Sequence, residues 1–331
     1  MTTLSDVAEL VRAPAALSVP GDVVAGAAAA GALGPRTPAL AGASVLLYWA
    51  GMAANDWADR RLDAVERPER PIPSGRVTPT VAVGLAAGLT AAGVGLAAAV
   101  GGRRAAALAV PLAATIWGYD LLAKNTAAGP AVMAACRGLD VLLGASGGRL
   151  TRALPAAATV AAHTWTVTAL SRQEVTGADR VLPMRTLAGT ALVAASAAVA
   201  APGTRRAPTG QTDRAGVSGR ADPTPHAETT DRAGAVDETP VHGARSRSAG
   251  IAAVLPAVLA GWYAARYGAA QAEVVRDPSA GRVRAAVGAG ITCLPALQGA
   301  LTARGGAGLL GVAVAAAAPL GRRLARKMSP T

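Results

Sequence analysis

Apolar residues recur in long runs around positions 15–34, 38–54, 79–100, 105–122, 128–146, 153–170, 183–201, 249–267, 281–300 and 305–320. Runs of roughly twenty residues are long enough to cross about 30 Å of hydrocarbon as helices. Backbone groups in lipid must be satisfied within the segment, so such runs mean helices and not open strands. The pattern therefore predicts an all-α fold, a polytopic transmembrane helical bundle of nine or ten spans. The count turns on Gly305-Gly306, which either separates two spans or bends one re-entrant element.

One stretch breaks the pattern. Residues 203–247 are rich in Thr, Gly, Pro, Asp and Arg and nearly devoid of large apolar side chains. Such a segment cannot bury enough surface to offset the entropy of ordering, and it reads as a disordered polar loop. The chain then divides into a membrane bundle over 1–202, the loop, and the remaining spans of the same bundle over 248–331. No internal repeat rises above the Ala and Gly background. The polar opening, Thr2 to Asp6 with Arg12, does not read as a cleavable signal peptide.

Composition strengthens this reading. Hydrophobic residues make up 52% of the chain and its mean hydropathy is +0.35, too apolar for a soluble domain with a polar surface. Cys136 and Cys293 each lie alone in an apolar run among small residues, which suits packing rather than disulfides or metal ligation. The net charge of +12 comes without aromatic interleaving and falls mostly between spans, so it marks membrane topology and not nucleic-acid binding.

Chemistry enters at the end of the second run, in Asn55-Asp-Trp-Ala-Asp-Arg-Arg-Leu-Asp63. At about 100° per residue, Asp56, Asp59 and Asp63 fall at i, i+3 and i+7 and share one helix face. Like charges held that close need a cation between them. Mg²⁺ takes oxygen ligands from one or two carboxylates and completes its shell with water or substrate phosphates. A Mg²⁺-diphosphate is the object these acids suit, whereas a charged loop capping a membrane helix has no need of three acids on one face.

The segment resembles the first aspartate-rich motif of the UbiA-type intramembrane prenyltransferases. Asn55, Asp56, Asp59 and Asp63 fit its first part, and Arg70, Pro71, Pro73, Ser74, Gly75 and Arg76 fit the Arg-Pro-x-Pro-Ser-Gly-Arg that follows. A second acidic motif is expected after the sixth span, where Ser171-Arg-Gln-Glu-Val-Thr-Gly-Ala-Asp179 stands. Glu174 fits its central acid and Gly177 its glycine, and Asp179 fits the final acid displaced by one residue. Ser171 replaces the first acid, while Arg185, Thr186 and Leu187 match the trailing element. Tyr119 and Lys124 are similar to the family's Tyr-x-x-x-x-Lys, in which the lysine contacts diphosphate; an interfacial anchor that snorkels to water is the alternative for Lys124. The Glu-bearing second motif and the segment Cys136-Arg-Gly-Leu-Asp140 look more like an outlying bacterial branch than the ubiquinone or menaquinone enzymes.

The resemblance implies Mg²⁺ held by Asn55, Asp56, Asp59, Asp63, Glu174 and Asp179. It implies an isoprenyl diphosphate contacted by Asn55, Arg70, Arg76, Tyr119, Lys124, Arg137 and Arg172, with Asp56, Asp59, Lys124 and Arg137 carrying catalysis. The partner would be a lipophilic acceptor within the bilayer, and the location the inner membrane. If the first motif is cytoplasmic, that side gathers Arg12, Arg60, Arg61, Arg67, Arg70, Arg76, Lys124, Arg172, Arg180, Arg185, Arg276, Arg282 and Arg284, against Arg36, Arg103, Arg104, Arg149 and Arg152 opposite. The cluster Arg322, Arg323, Arg326 and Lys327 would join the cytoplasmic side only with an even number of spans. Ser171 also leaves open a transport or accessory protein that keeps the bundle without catalysis.

Two further features stand inside spans. Arg137 and Asp140 lie at i and i+3, either as a structural ion pair or with Asp140 orienting Arg137 toward a substrate pocket. His163 and Trp165 read most simply as packing residues, with a pocket-lining role as the alternative.

Overall fold

The computed structural model describes residues 2–13, 18–199 and 243–317. Its helices are α1 (Leu4–Leu10), α2 (Val19–Ala30), α3 (Thr37–Glu66), α4 (Pro79–Gly118), α5 (Gly129–Gly144), α6 (Leu150–Ser171), α7 (Val181–Ala198), α8 (Gly243–Arg276), α9 (Ala280–Arg304) and α10 (Gly308–Ala317). No strand occurs among the described residues. Proline sits in the first turn of α2, α3, α4 and α5, where its missing N–H costs nothing.

The expected runs map onto this order. The runs at 79–100 and 105–122 are two halves of α4, parted where Gly102 takes φ 66° and ψ −159°, open only to glycine. Gly305 and Gly306 end α9 and turn the chain into α10, which returns so closely that a Cβ on Gly299 would lie 2.3 Å from the Gly311 carbonyl. Most of the expected polar loop, 203–242, lies outside the described residues, as does the basic cluster at 322–327. Residues 243–247 begin α8.

The bundle is inverted relative to a water-soluble protein. Val110, Leu154, Leu192, Val258 and Ile291 are exposed, while Asp22, Arg137, Asp140, Gln271 and Gln298 are buried. That distribution is what a lipid solvent selects, with ionisable groups facing the bundle interior. α2 runs through the middle, packed on α3, α5, α6 and α9. It meets α5 by glycine at both ends. A Cβ on Gly26 would fall 1.8 Å from the Val141 carbonyl oxygen, and one on Gly144 would fall 2.0 Å from that of Val23. Small residues at such crossings let helices pack without a hydrophobic drive between them. Gly144 has ordinary helical torsions (φ −60°, ψ −31°), so only the close approach requires it. Gly144→Ala is expected to cost about 1–3 kcal/mol of stability, as other overpacked cores do, and an unchanged melting temperature in detergent would show that the two helices are not this close.

Candidate active site

The first motif occupies the last three turns of α3. Asp56 and Asp63 face inward and are almost fully buried, whereas Asp59 keeps partial exposure. Each acid has a cation. Arg70 lies 2.6 Å from Asp63 and 3.5 Å from Asp56, so it bridges the two. Arg12 lies 2.6 Å from Asp56, and Lys124 Nζ lies 2.6 Å from Asp59. Asn55 turns to the other side of the motif, where its Nδ2 donates to Asp120 at 3.1 Å.

Two local structures place these cations. After α3 the chain folds into a compact loop in which Ser74 donates to the Arg70 carbonyl, Gly75 takes φ 75°, and Val77 N–H donates to the Pro71 carbonyl. Ile72 and Val77 are thereby buried against α3, which fixes Arg70 over the acids. At the end of α4, Tyr119–Ala123 forms a π turn closed by the Lys124 N–H on the Tyr119 carbonyl. Such turns often mark functional sites. This one buries Asp120 and directs Lys124 at Asp59. Arg172 does not reach the acids; it donates to the carbonyls of Thr126 and Lys124, bracing the loop that carries the lysine.

The second motif is arranged differently. Ser171 ends α6 and donates to the Thr168 carbonyl. Glu174 is partly buried, which pushes its carboxyl above the usual range against the opposing charge of Arg284, and its carbonyl accepts from Arg284 at 2.8 Å. Asp179 is exposed and caps α7, accepting from Leu182 N–H at 2.9 Å. Arg76 turns away from the motif acids toward Asp6 and Glu9 of α1.

Below the first motif lies a cavity of about 320 Å³ among α2, α3, α5, α6 and α9. Met52 and Tyr119 reach it from one turn before Asp56 and from the residue before Asp120. Its walls are largely apolar (Val19, Met133, Val167, Ile291, Leu294), with polar groups from Tyr48, Arg137, His163, Thr164 and Ser171. That balance is typical of small-molecule sites. Arg137 does not pair with Asp140. Its Nε lies 2.7 Å from Asp22 Oδ2 and its plane lies over the Tyr48 ring at 5.5 Å, while Asp140 accepts from Ser44. At about 100° per residue the two side chains stand about 60° apart around α5, enough for Arg137 to meet Asp22 of α2 and Asp140 to meet Ser44 of α3. Gln298 of α9 completes the pair, donating to Asp22 and to the Ser18 carbonyl, both at 2.7 Å. His163 is both packed and cavity-lining, with Nδ1 2.8 Å from the Tyr263 hydroxyl; Trp165 is partly exposed.

Among the described residues no three His, Cys, Asp or Glu side chains converge on one point. The donor chemistry of the first motif still fits Mg²⁺: three carboxylates and a carboxamide offer only hard oxygens. The cations now on them are side chains with rotamers to spare.

Comparison with known proteins agrees with this geometry. Residues 18–201 match the UbiA prenyltransferase family. The chain belongs to that family. Curated relatives from four organisms are named digeranylgeranylglyceryl phosphate synthase. The one from Natronomonas pharaonis is 32% identical over 191 residues, covering 56% of this chain and 69% of that protein. The one from Methanopyrus kandleri is 43% identical over 76 residues, covering 23% of this chain and only 28% of the relative's length. A solved structure of a digeranylgeranylglyceryl phosphate synthase aligns with TM-score 0.60 at 13% identity, over 91% of this chain and 98% of that one. A UbiA homologue from Aeropyrum pernix K1 aligns with TM-score 0.56 at 16% identity, over 89% and 96%. Members of this family are membrane-embedded, as the apolar exterior of the bundle requires.

Sequence reasoning missed Arg12, Asp120, Asp22 and Gln298. Asp22 had a readable signal, an acid alone in an apolar run. Arg12 had only its place on the same basic side as the motif, since nothing in its neighbours' spacing links it to a residue 44 positions away.

Proposed function

We propose that this protein transfers an isoprenyl group from an isoprenyl diphosphate to an aromatic or otherwise lipophilic acceptor inside the membrane, with Mg²⁺ as cofactor. The observation that carries the reading is the junction of the cation-paired acids Asp56, Asp59 and Asp63 with an apolar cavity one helical turn below them. A diphosphate belongs at the first and a prenyl chain in the second. Mg²⁺ held by Asn55, Asp56, Asp59 and Asp63, with Glu174 and Asp179 as a second set, would neutralise the diphosphate oxygens.

The chain's own residues have distinct tasks. Lys124 and Arg70 present N–H donors to the diphosphate as the allylic C–O bond breaks and negative charge gathers on the leaving group. The apolar walls keep water from the electrophilic carbon. The acceptor then forms its bond to that carbon and releases a proton. Arg137, held by Asp22 at the cavity wall, would contact the acceptor's polar end. The membrane is the plasma membrane in this reading, with both acidic motifs on the cytoplasmic face where the basic loops gather.

The test is to purify the protein in detergent and supply labelled isoprenyl diphosphates of several chain lengths, with lipid extracts, phenolic acceptors or a glyceryl phosphate acceptor of the kind the relatives' name implies. Mg²⁺-dependent diphosphate release with product formation supports the reading. No release at any chain length would refute it, and turnover of the glyceryl phosphate alone would replace the acceptor class. The second motif gives a finer check. Ser171→Asp, at the cavity wall, is expected to shift the Mg²⁺ titration of activity several-fold toward lower concentration; an unmoved titration means Ser171 does not stand at a ligand position.

A further inference from the structure

The N-terminal helix is tied to the site more tightly than its length accounts for. Seven residues are too few to hold a helix in water without tertiary support. Thr3 caps α1 in a reciprocal box with Asp6. Beyond that, its polar support comes from one residue of the loop after α3. Arg76 donates to Asp6 at 2.8 Å, to both carboxylate oxygens of Glu9 at 2.7 and 3.0 Å, and to the Glu69 carbonyl at 2.8 Å, while its own carbonyl accepts from the Thr2 hydroxyl at 3.1 Å. Leu10, fully buried, packs beside Ala53 and Ala54 of α3 and Ile72 and Val77 of the loop. Two residues on, Arg12 takes φ 45°, uncommon for a residue with a side chain, and ends 2.6 Å from Asp56.

The fork geometry matters here. A guanidinium that meets a carboxylate through two N–H groups fixes direction as well as distance. Glu9 receives such a pair, so Arg76 sets the orientation of α1 and not merely its proximity. Asp6 is also secure: hydrogen bonds from the Thr3 backbone and hydroxyl and from Arg76 hold its carboxyl down at about 2. The contribution of a carboxyl lowered from 3.8 is complete above that value and is lost only as pH falls toward about 2, so the clamp persists throughout the neutral range.

We propose that Arg76 is a positioning residue that fastens α1 so that Arg12 reaches the acidic motif, where Arg12 adds a guanidinium to the diphosphate-binding set. The assignment rests on the donor site proposed above. It also changes what the loop arginine does: Arg76 acts on the donor only through α1 and Arg12, and never touches the diphosphate. With no donor bound, Arg12 rests on Asp56; with donor bound, it turns to the diphosphate oxygens.

The experiment uses the full chain in detergent with Cys136 and Cys293 replaced. Spin labels at Leu4→Cys and Leu62→Cys, both exposed sites, report the docking of α1 by double electron–electron resonance. Mg²⁺-pyrophosphate binding is measured by calorimetry in parallel. The expected result is a narrow distance distribution that Arg76→Ala, and equally Asp6→Ala with Glu9→Ala, broadens. Arg12→Ala and Arg76→Ala should each weaken pyrophosphate binding about tenfold, roughly 1.4 kcal/mol, and the double variant should be no weaker than either single one. Additive losses would mean that Arg76 meets the anion itself and would overturn the proposal. So would a distribution left narrow by Arg76→Ala. If Asp56→Ala abolishes pyrophosphate binding while Arg12→Ala leaves it intact, the donor site stands and this inference falls. If the unaltered protein binds no pyrophosphate, the donor site falls and takes the inference with it.

Discussion

Asp56→Ala and Asp59→Ala are each expected to lower Mg²⁺-dependent diphosphate release by roughly 10²–10³-fold, the scale on which loss of one preorganised charge-stabilising group acts. The two should differ in ground-state binding. Without Asp56, Arg12 loses its acceptor and Arg70 keeps only Asp63, so the site gains net positive charge and still attracts the diphosphate. Without Asp59, Lys124 is freed in the same way at the other side of the motif. Turnover should therefore collapse while donor binding measured without metal stays the same or tightens. Asp63→Ala should be nearly as severe. The fold should survive, because the acids lie at the end of α3 outside the glycine-packed centre. Steady-state turnover of either of the first two variants at the unaltered rate would remove the basis for placing the reaction at this motif.

The largest stability effect is expected at Asp22. Its carboxylate is fully buried in the middle of the bundle, 2.7 Å from the Arg137 guanidinium, with Gln298 donating to its other oxygen. Asp22→Ala leaves the buried guanidinium without its countercharge, with the Ser18 carbonyl as acceptor at 3.3 Å, and takes one acceptor from the Gln298 amide. Breaking a buried pair from one side costs roughly 3–5 kcal/mol, whereas removing both charges together is often nearly neutral. Asp22→Ala should therefore lower the detergent melting temperature sharply, and Asp22→Asn combined with Arg137→Met should recover most of the loss, since the Asn oxygen can still accept from Gln298. A single variant that melts like the unaltered protein would show that the Ser18 carbonyl, which already accepts from Arg137 Nη2 at 3.3 Å, is partner enough for the guanidinium. The double variant also separates roles, because it restores the fold without restoring a cationic wall for the acceptor.

What the sequence disclosed follows from which interactions are local. The helices were legible because crossing lipid demands long uninterrupted apolar runs, and the first motif because its acids repeat with the period of one helix face. The pairing of cations to acids was not legible. Arg70 reaches Asp63 through a loop whose shape depends on Gly75 and on burial of Ile72 and Val77, and Arg12 arrives from a separate helix. The same limit explains Arg137. Spacing in sequence pointed to Asp140, but the partner is chosen by which helix each side chain faces, and Asp22 is brought there only by the Gly26 and Gly144 crossing. Arg76 matched a motif, and a motif records that a residue type is required without saying what it touches; its contacts to Asp6 and Glu9 of α1 come from a part of the chain that the motif does not include.

The π turn at Tyr119–Ala123 carries a consequence for how this segment tolerates change in length. In an α-helix at about 100° per residue, positions five apart diverge by about 140°. The Lys124-to-Tyr119 backbone bond spans five residues and gives the two the relation that positions four apart hold in an α-helix. The turn thus behaves as an absorbed insertion, one residue more than the regular helix needs. Deleting Leu121 or Leu122 would let α4 run on unbroken, and nearly every side chain identity would be kept. Lys124 would swing off the line to Asp59, so the segment's residue count is itself under constraint.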